Sequence, residues 1–144
     1  MTKDQGTKRT PKLEYELIFD GGSRGNPGEA YGSYQIRKSR GKARKPVRLH
    51  LGKGTNNEAE YRTLIRAFED LLNEFEQDGI DPSKVRLKVY GDSQLVICQL
   101  QGQWKAKDKR MRALRDQVLR LGNPFGSVEF VHQARWRSVA ALGH

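Results

Sequence analysis

Cysteine is almost missing from this 144-residue chain, and Cys98 stands alone. An internal disulfide is therefore excluded. Cys98 sits in the apolar stretch Leu95-Val96-Ile97-Cys98, where a small hydrophobe packs well. A catalytic thiol is the sharper reading, but no His lies nearby in sequence. Apolar residues are also sparse, at 35% of the chain. No apolar run approaches the length that spans a bilayer, and the N-terminus carries no hydrophobic signal segment. The expectation is a cytoplasmic protein without membrane contact. Acids are outnumbered, 17 against 27 Lys and Arg, for a net charge of +10. Basicity of this degree bears on partners rather than fold, and a polyanion such as nucleic acid is the candidate. The plainer alternative is a soluble basic surface.

What is present falls into short periodic segments. Residues 1–12 are polar and carry Lys3, Lys8, Arg9 and Lys12, which reads as a disordered basic tail. Residues 13–144 read as one domain, a size that can bury a core. Glu14 to Asp20 reads as a strand, ended by the turn-rich run Gly21 to Gly28. Ala30 to Arg37 and Val47 to Leu51 follow as strands, with short links that suggest an antiparallel meander. Apolar residues then recur at helical spacing from Asn57 to Gln77, closed by Gly79 and Pro82. Val85 to Tyr90 reads as a fourth strand, and Ser93 to Gln99 as a short helix capped by Asp92 or Ser93. Lys107 to Leu121 is a basic amphipathic helix, Val128 to Val131 a fifth strand, and the region from Ser138 at most a short helix. A helix between strands favours a parallel crossover. The expected fold is α/β: a five-stranded mixed sheet, three antiparallel strands and then two parallel, flanked by helices.

Three acids stand out by position. Asp20 and Asp92 each end an apolar strand, and strand ends are where ligands bind in open α/β sheets. Glu60 falls early in the long helix, close to Glu58. Each has a plain explanation: Asp92 as a helix cap, Glu58 and Glu60 as first-turn acids favoured by the helix dipole. A single chemical reading covers all three. Converging carboxylates repel unless a cation is present, and hard oxygen ligands suit Mg²⁺ or Mn²⁺. Two such ions about 4 Å apart can activate a water and stabilise the leaving oxygen of a phosphodiester.

Three motifs carry a resemblance. Phe19-Asp20-Gly21-Gly22-Ser23-Arg24-Gly25-Asn26-Pro27-Gly28, Thr55-Asn56-Asn57-Glu58-Ala59-Glu60-Tyr61 and Tyr90-Gly91-Asp92-Ser93-Gln94-Leu95-Val96 resemble the type 1 ribonuclease H family, in order and in spacing. The resemblance covers about Glu14 to Arg135. It implies an endonuclease that hydrolyses the RNA strand of RNA–DNA hybrids with two metal ions, and it implies that Asp20, Glu60 and Asp92 are the ligands. It makes Glu58 a surface acid. It places Asn26, Asn56 and Asn57 against the RNA strand, where amides can bond a 2′-hydroxyl. Thr55 matches a position that binds a DNA-strand phosphate, and Ser93 and Gln94 lie where the hybrid is contacted near the cut. Trp104 and Lys105 belong to a compact basic segment in a region that some members use to grip substrate. The plain alternatives are a turn residue for Asn26, a helix cap for Asn56 or Asn57, and a half-buried core residue for Trp104. The implied partner is an RNA–DNA hybrid, with double-stranded RNA as a further candidate, acted on by a monomer.

The resemblance fails at one point. The family has a fourth acid on its last helix, after an Arg, a spaced Asn and an Ala. Aligned through Arg135, the Asn position falls on Ser138 and the acid position on Leu142. Either the natural sequence ends differently here or the chain is altered or truncated. In both cases one metal site is weakened. His132 and His144 are the nearby candidates for compensation, with His132 expected simply to end its strand. Two alternatives to the enzyme remain open. One is a non-catalytic module that binds hybrids or double-stranded nucleic acid. The other is an integrase-like or transposase-like nuclease, which the Asn pair and the Gly25-Asn26-Pro27-Gly28 turn do not favour.

Overall fold

The computed structural model describes residues 13–143, so the expected tail of residues 1–12 and the terminal His144 lie outside the described residues. The chain runs β1 (Leu13–Gly25), β2 (Gly28–Lys38), β3 (Val47–Gly54), α1 (Asn56–Asp78), a 3₁₀ turn (Pro82–Lys84), β4 (Val85–Gly91), α2 (Gln94–Leu100), α3 (Lys109–Gly122), β5 (Ser127–His132) and α4 (Arg135–Leu142). The five strands form one sheet in the order β3-β2-β1-β4-β5. β1 pairs antiparallel with β2, and β2 with β3. β4 runs parallel to β1, and β5 parallel to β4. This is the mixed sheet that the periodicity predicted.

The core lies on one face. Tyr15, Leu17 and Phe19 of β1 alternate inward and meet Tyr61, Leu64, Phe68, Leu71 and Phe75 of α1, all buried. α1 begins at Thr55, whose hydroxyl accepts from the Glu58 N–H, while the Glu58 carboxylate accepts from the Thr55 N–H. That reciprocal pair satisfies two donors which a helix start leaves open. Gly79 ends the helix at φ +69°, a left-handed geometry that glycine adopts without a Cβ clash. On the opposite face α4 packs on β1 and β2.

Two boundaries differ from expectation in ways that matter. β1 does not stop at Asp20. It continues through the glycine-rich run to Gly25, and Asn26-Pro27 alone turn the chain into β2. Glycine is a poor strand former in general, but here the backbone ladder with β2 continues to Gly25↔Gly28. The last helix also begins earlier than expected, at Arg135 rather than Ser138.

Candidate active site

Asp20 lies within β1, two residues past Ile18, whose partner Tyr90 ends the β1–β4 register. Asp92 follows Gly91, the last residue of β4. The two acids therefore project where parallel strands part, the usual mouth of an open α/β sheet. Glu60 reaches the same point from the first turns of α1. Close approach of strand and helix makes this possible. A Cβ on Gly21 would lie 2.6 Å from the Ala59 carbonyl carbon and 2.7 Å from the Glu60 nitrogen. Only glycine lets the helix start settle onto the strand here.

The result is a convergence of three carboxylates. One oxygen from each of Asp20, Glu60 and Asp92 lies within 4.8 Å of the others. Asp20 and Glu60 are buried, and Glu60 Oε2 has no hydrogen-bond partner among the described residues. Burial, and then the charges of Asp20 and Asp92, push the Glu60 carboxyl well above the ordinary carboxylate range. The Gly21 N–H and Arg135 pull it the other way. A buried, unpartnered carboxylate oxygen facing two other acids is costly unless a cation completes it. All three ligands are oxygens, which suits a hard divalent ion. No further Asp, Glu, His or Cys joins this group among the described residues.

Leu142, at the expected fourth-acid position, is fully buried, as is Ser138 one helical turn earlier. The Leu142 carbonyl accepts from the Arg48 guanidinium at 2.9 Å, and the Gln133 amide donates to the Ser138 hydroxyl at 3.0 Å. The position where the resemblance expects a fourth acid thus holds a buried apolar side chain. His132 ends β5 as expected, and its Nε2 lies 3.3 Å from the Asp92 carbonyl oxygen.

Around the acids, the β1–β2 turn is stapled to the start of α1. Asn56 Oδ1 accepts from the Ser23 N–H at 2.8 Å, and Asn26 Oδ1 accepts from the Asn56 N–H at 3.0 Å. The Ser23 hydroxyl donates to the Gly54 carbonyl at 2.7 Å. With their oxygens committed to backbone, Asn26 and Asn56 offer their NH₂ groups to a ligand. The cap of α1 falls to Thr55, not to Asn56 or Asn57. Asn26, Thr55, Asn57, Gln99, Lys105 and Arg110 line one open groove beside this network. Ser93 caps α2, its hydroxyl accepting from Val96 N–H at 3.3 Å, and Gln94 is exposed at the first position of that helix. Trp104 is 43% exposed, so it is not a core residue, and it stands in the loop before α3.

One expectation is overturned. Glu58 is not a surface acid, because it is only 6% exposed. The Thr55 backbone bond and the nearby Arg110 hold its carboxyl below the usual range, against the opposing effect of burial. Arg110 Nη1 lies 3.4 Å from Glu58 Oε2 and joins the start of α3 to the start of α1. The Thr-x-x-Glu spacing of a capping box was visible in the sequence and signals this role. Arg135 is the residue that sequence reasoning left without a role. Its Nη1 lies 3.2 Å from Asp92 Oδ2. Only the fold, which places the start of α4 beside the end of β4, reveals this pairing.

A mixed sheet with acids at the parting of its parallel strands, and a third acid from the crossing helix, forms a group that could hold a divalent metal ion. Residues 18–142 match the family described as "Reverse transcriptase-like". The chain is 36% identical over 117 residues to Ribonuclease HI of Halobacterium salinarum, which covers 81% of this chain and 55% of that protein. The crystal structure of RNase H1 from Halobacterium salinarum NRC-1 superposes with a TM-score of 0.75 at 33% identity, covering 87% of this chain and 89% of that one. LC11-RNase H1 in complex with RNA/DNA hybrid superposes with a TM-score of 0.78 at 31% identity, covering 88% and 89%. The chain belongs to this family, and within it to the type 1 ribonucleases H. It spans 34% to 55% of the length of the curated relatives it matches. No helix among the described residues is long and apolar enough to cross a membrane.

Proposed function

We propose that this chain is an endonuclease that hydrolyses the RNA strand of RNA–DNA hybrids, with Asp20, Glu60 and Asp92 holding Mg²⁺ or Mn²⁺. The observation that carries the reading is the buried, unpartnered Glu60 Oε2 within a convergence of three carboxylates. When bound, a pair of such ions would supply a water nucleophile and stabilise the leaving oxygen. With Leu142 in place of the fourth acid, one of the two sites is weakened. The chain's own residues do the rest. Asp20 and Asp92 are held in place by the strands, and Glu60 by the capped helix start. Asn26, Asn56 and Asn57 bond the RNA 2′-hydroxyls, which separate RNA from DNA. Thr55 and Lys105 meet DNA-strand phosphate, Ser93 and Gln94 sit beside the cut, and exposed Trp104 offers an apolar surface to the hybrid. A related protein bound to an RNA/DNA hybrid supports the substrate class.

The second reading is a non-catalytic binder of hybrids or double-stranded nucleic acid. It is favoured by one observation, the apolar Leu142 at the acid position. A labelled hybrid incubated with Mg²⁺ and with Mn²⁺ separates the two. Cleavage of the RNA strand by the parent, and its loss in Asp20→Asn by about a thousandfold or more, is the expected result. Intact hybrid with both metals, alongside ordinary binding, establishes the binder instead.

A further inference from the structure

Arg135 has no part in the reading above, yet it touches the site. It is the first residue of α4. Its side chain is 72% exposed, but its guanidinium reaches a carboxylate whose side chain is only 7% exposed, Asp92, at 3.2 Å. Three acids converge here, and the Arg135 guanidinium is paired with one of them, Asp92. Among the described residues no fourth acid joins the cluster, and Leu142 at the expected position is neutral and buried. Glu60 Oε2 points independently to a cation in the cluster, because it is buried and unpartnered among the described residues. A divalent ion at Asp92 would stand close to the guanidinium. Two cations at that separation repel, most strongly where water is excluded.

We propose that Arg135 is an internal counter-ion for Asp92, and that it competes there with the divalent cation. The metal affinity of this chain is then set by that competition. The inference rests on the reading of Asp20, Glu60 and Asp92 as ligands. Arg135 is a positioning residue in this scheme. It holds Asp92 in place before an ion arrives, and it lowers the ion's affinity in return.

The test is Mn²⁺ titrated into the full chain without nucleic acid, at low ionic strength, followed by calorimetry and by loss of the free-Mn²⁺ paramagnetic signal. Arg135→Gln should bind Mn²⁺ about tenfold tighter, the scale on which a neighbouring charge shifts a carboxylate equilibrium. Arg135→Lys keeps the charge and should stay within about threefold of the parent, since it loses only the fork geometry. In an Asp92→Asn background, Arg135→Gln should change nothing, because the partner is gone. Unchanged or weaker Mn²⁺ binding by Arg135→Gln overturns the proposal. So does a fall in melting temperature in chelator with Mn²⁺ affinity intact, which is the signature of a simple tether for α4. The two readings fail separately. Hybrid cleavage without an affinity shift in Arg135→Gln removes the counter-ion and leaves the nuclease. An affinity shift without cleavage under either metal does the reverse.

Discussion

At the scale of single residues, the site depends on one absent side chain and one stranded carboxylate. Gly21 has no Cβ, and the backbone of Ala59 and Glu60 occupies that space. Gly21→Ala should push the start of α1 away from β1, at a cost of about 1–3 kcal/mol, the usual penalty for overpacking. Denaturant unfolding measures the loss, and a variant as stable as the parent would show that the helix start is not seated on the strand. Glu60 works the other way, against stability. Its folded carboxyl is raised well above the ordinary range by burial and then by Asp20 and Asp92. Between the unfolded and folded values the fold holds more protons than the unfolded chain, so stability falls as pH rises through that window. In chelator, the melting temperature of the parent should drop as pH rises above the ordinary carboxylate range. Glu60→Gln, an uncharged isostere, should flatten that drop and melt higher than the parent at the upper end, while losing hybrid cleavage. Parallel pH curves for the two proteins would show that the metal-free site carries no strain at Glu60. Stability gained by removing a functional charge is a common exchange.

At the scale of elements, the sequence announced some segments and concealed others for physical reasons. α1 was legible because its apolar spacing, its Thr55 cap and its Gly79 stop all agree. The continuation of β1 through Gly21-Gly22-Ser23 was not, since composition reads as a turn while pairing with β2 decides the outcome. Asp20 was singled out for ending a strand, and the fold instead places it within one. What it shares with a strand end is the loss of its β4 neighbour. The start of α4 was concealed because no side chain caps it at Ala134 and its apolar face is short. This helix carries Leu142, the position where the resemblance expects a fourth acid. Leu142→Asp would bury a carboxylate in place of an apolar side chain that is fully buried. Without metal it should cost several kcal/mol, the effective penalty for a buried unpaired charge. With Mg²⁺ the new oxygen ligand should restore stability and raise the cleavage rate, since Mg²⁺ tolerates an incomplete shell poorly. Metal-dependent melting and hybrid cleavage together check this. A destabilised variant that metal does not rescue places the Leu142 side chain away from the cation.

At the scale of the whole molecule, charge and chemistry are arranged in opposition. The chain carries a net charge of +10, yet its three convergent acids lie at the mouth of the sheet. On the proposed function, a polyanion would be attracted by the basic surface, while its reacting phosphate would have to approach a cluster of three acids. Divalent cations held by these acids would resolve that conflict, so binding and cutting should respond differently to ions. Association should weaken steeply with monovalent salt, with a log–log slope of about 0.9 for each phosphate neutralised on a duplex. Lys105 and Arg110, which line the groove beside Thr55 and Asn57, should account for part of that slope. Replacing Lys105 with Ala should lower the slope by roughly one and weaken binding alike for every hybrid sequence, as a phosphate contact does. The acids should behave oppositely. In chelator, neutralising Asp20 as Asn should tighten hybrid binding, because it removes a charge that repels the scissile phosphate, even though it abolishes cleavage. Filter binding across a salt series, in chelator and then in Mg²⁺, reads both effects from the same proteins. A slope unchanged in Lys105→Ala, or weaker hybrid binding by Asp20→Asn in chelator, would mean that the hybrid lies elsewhere on the basic surface.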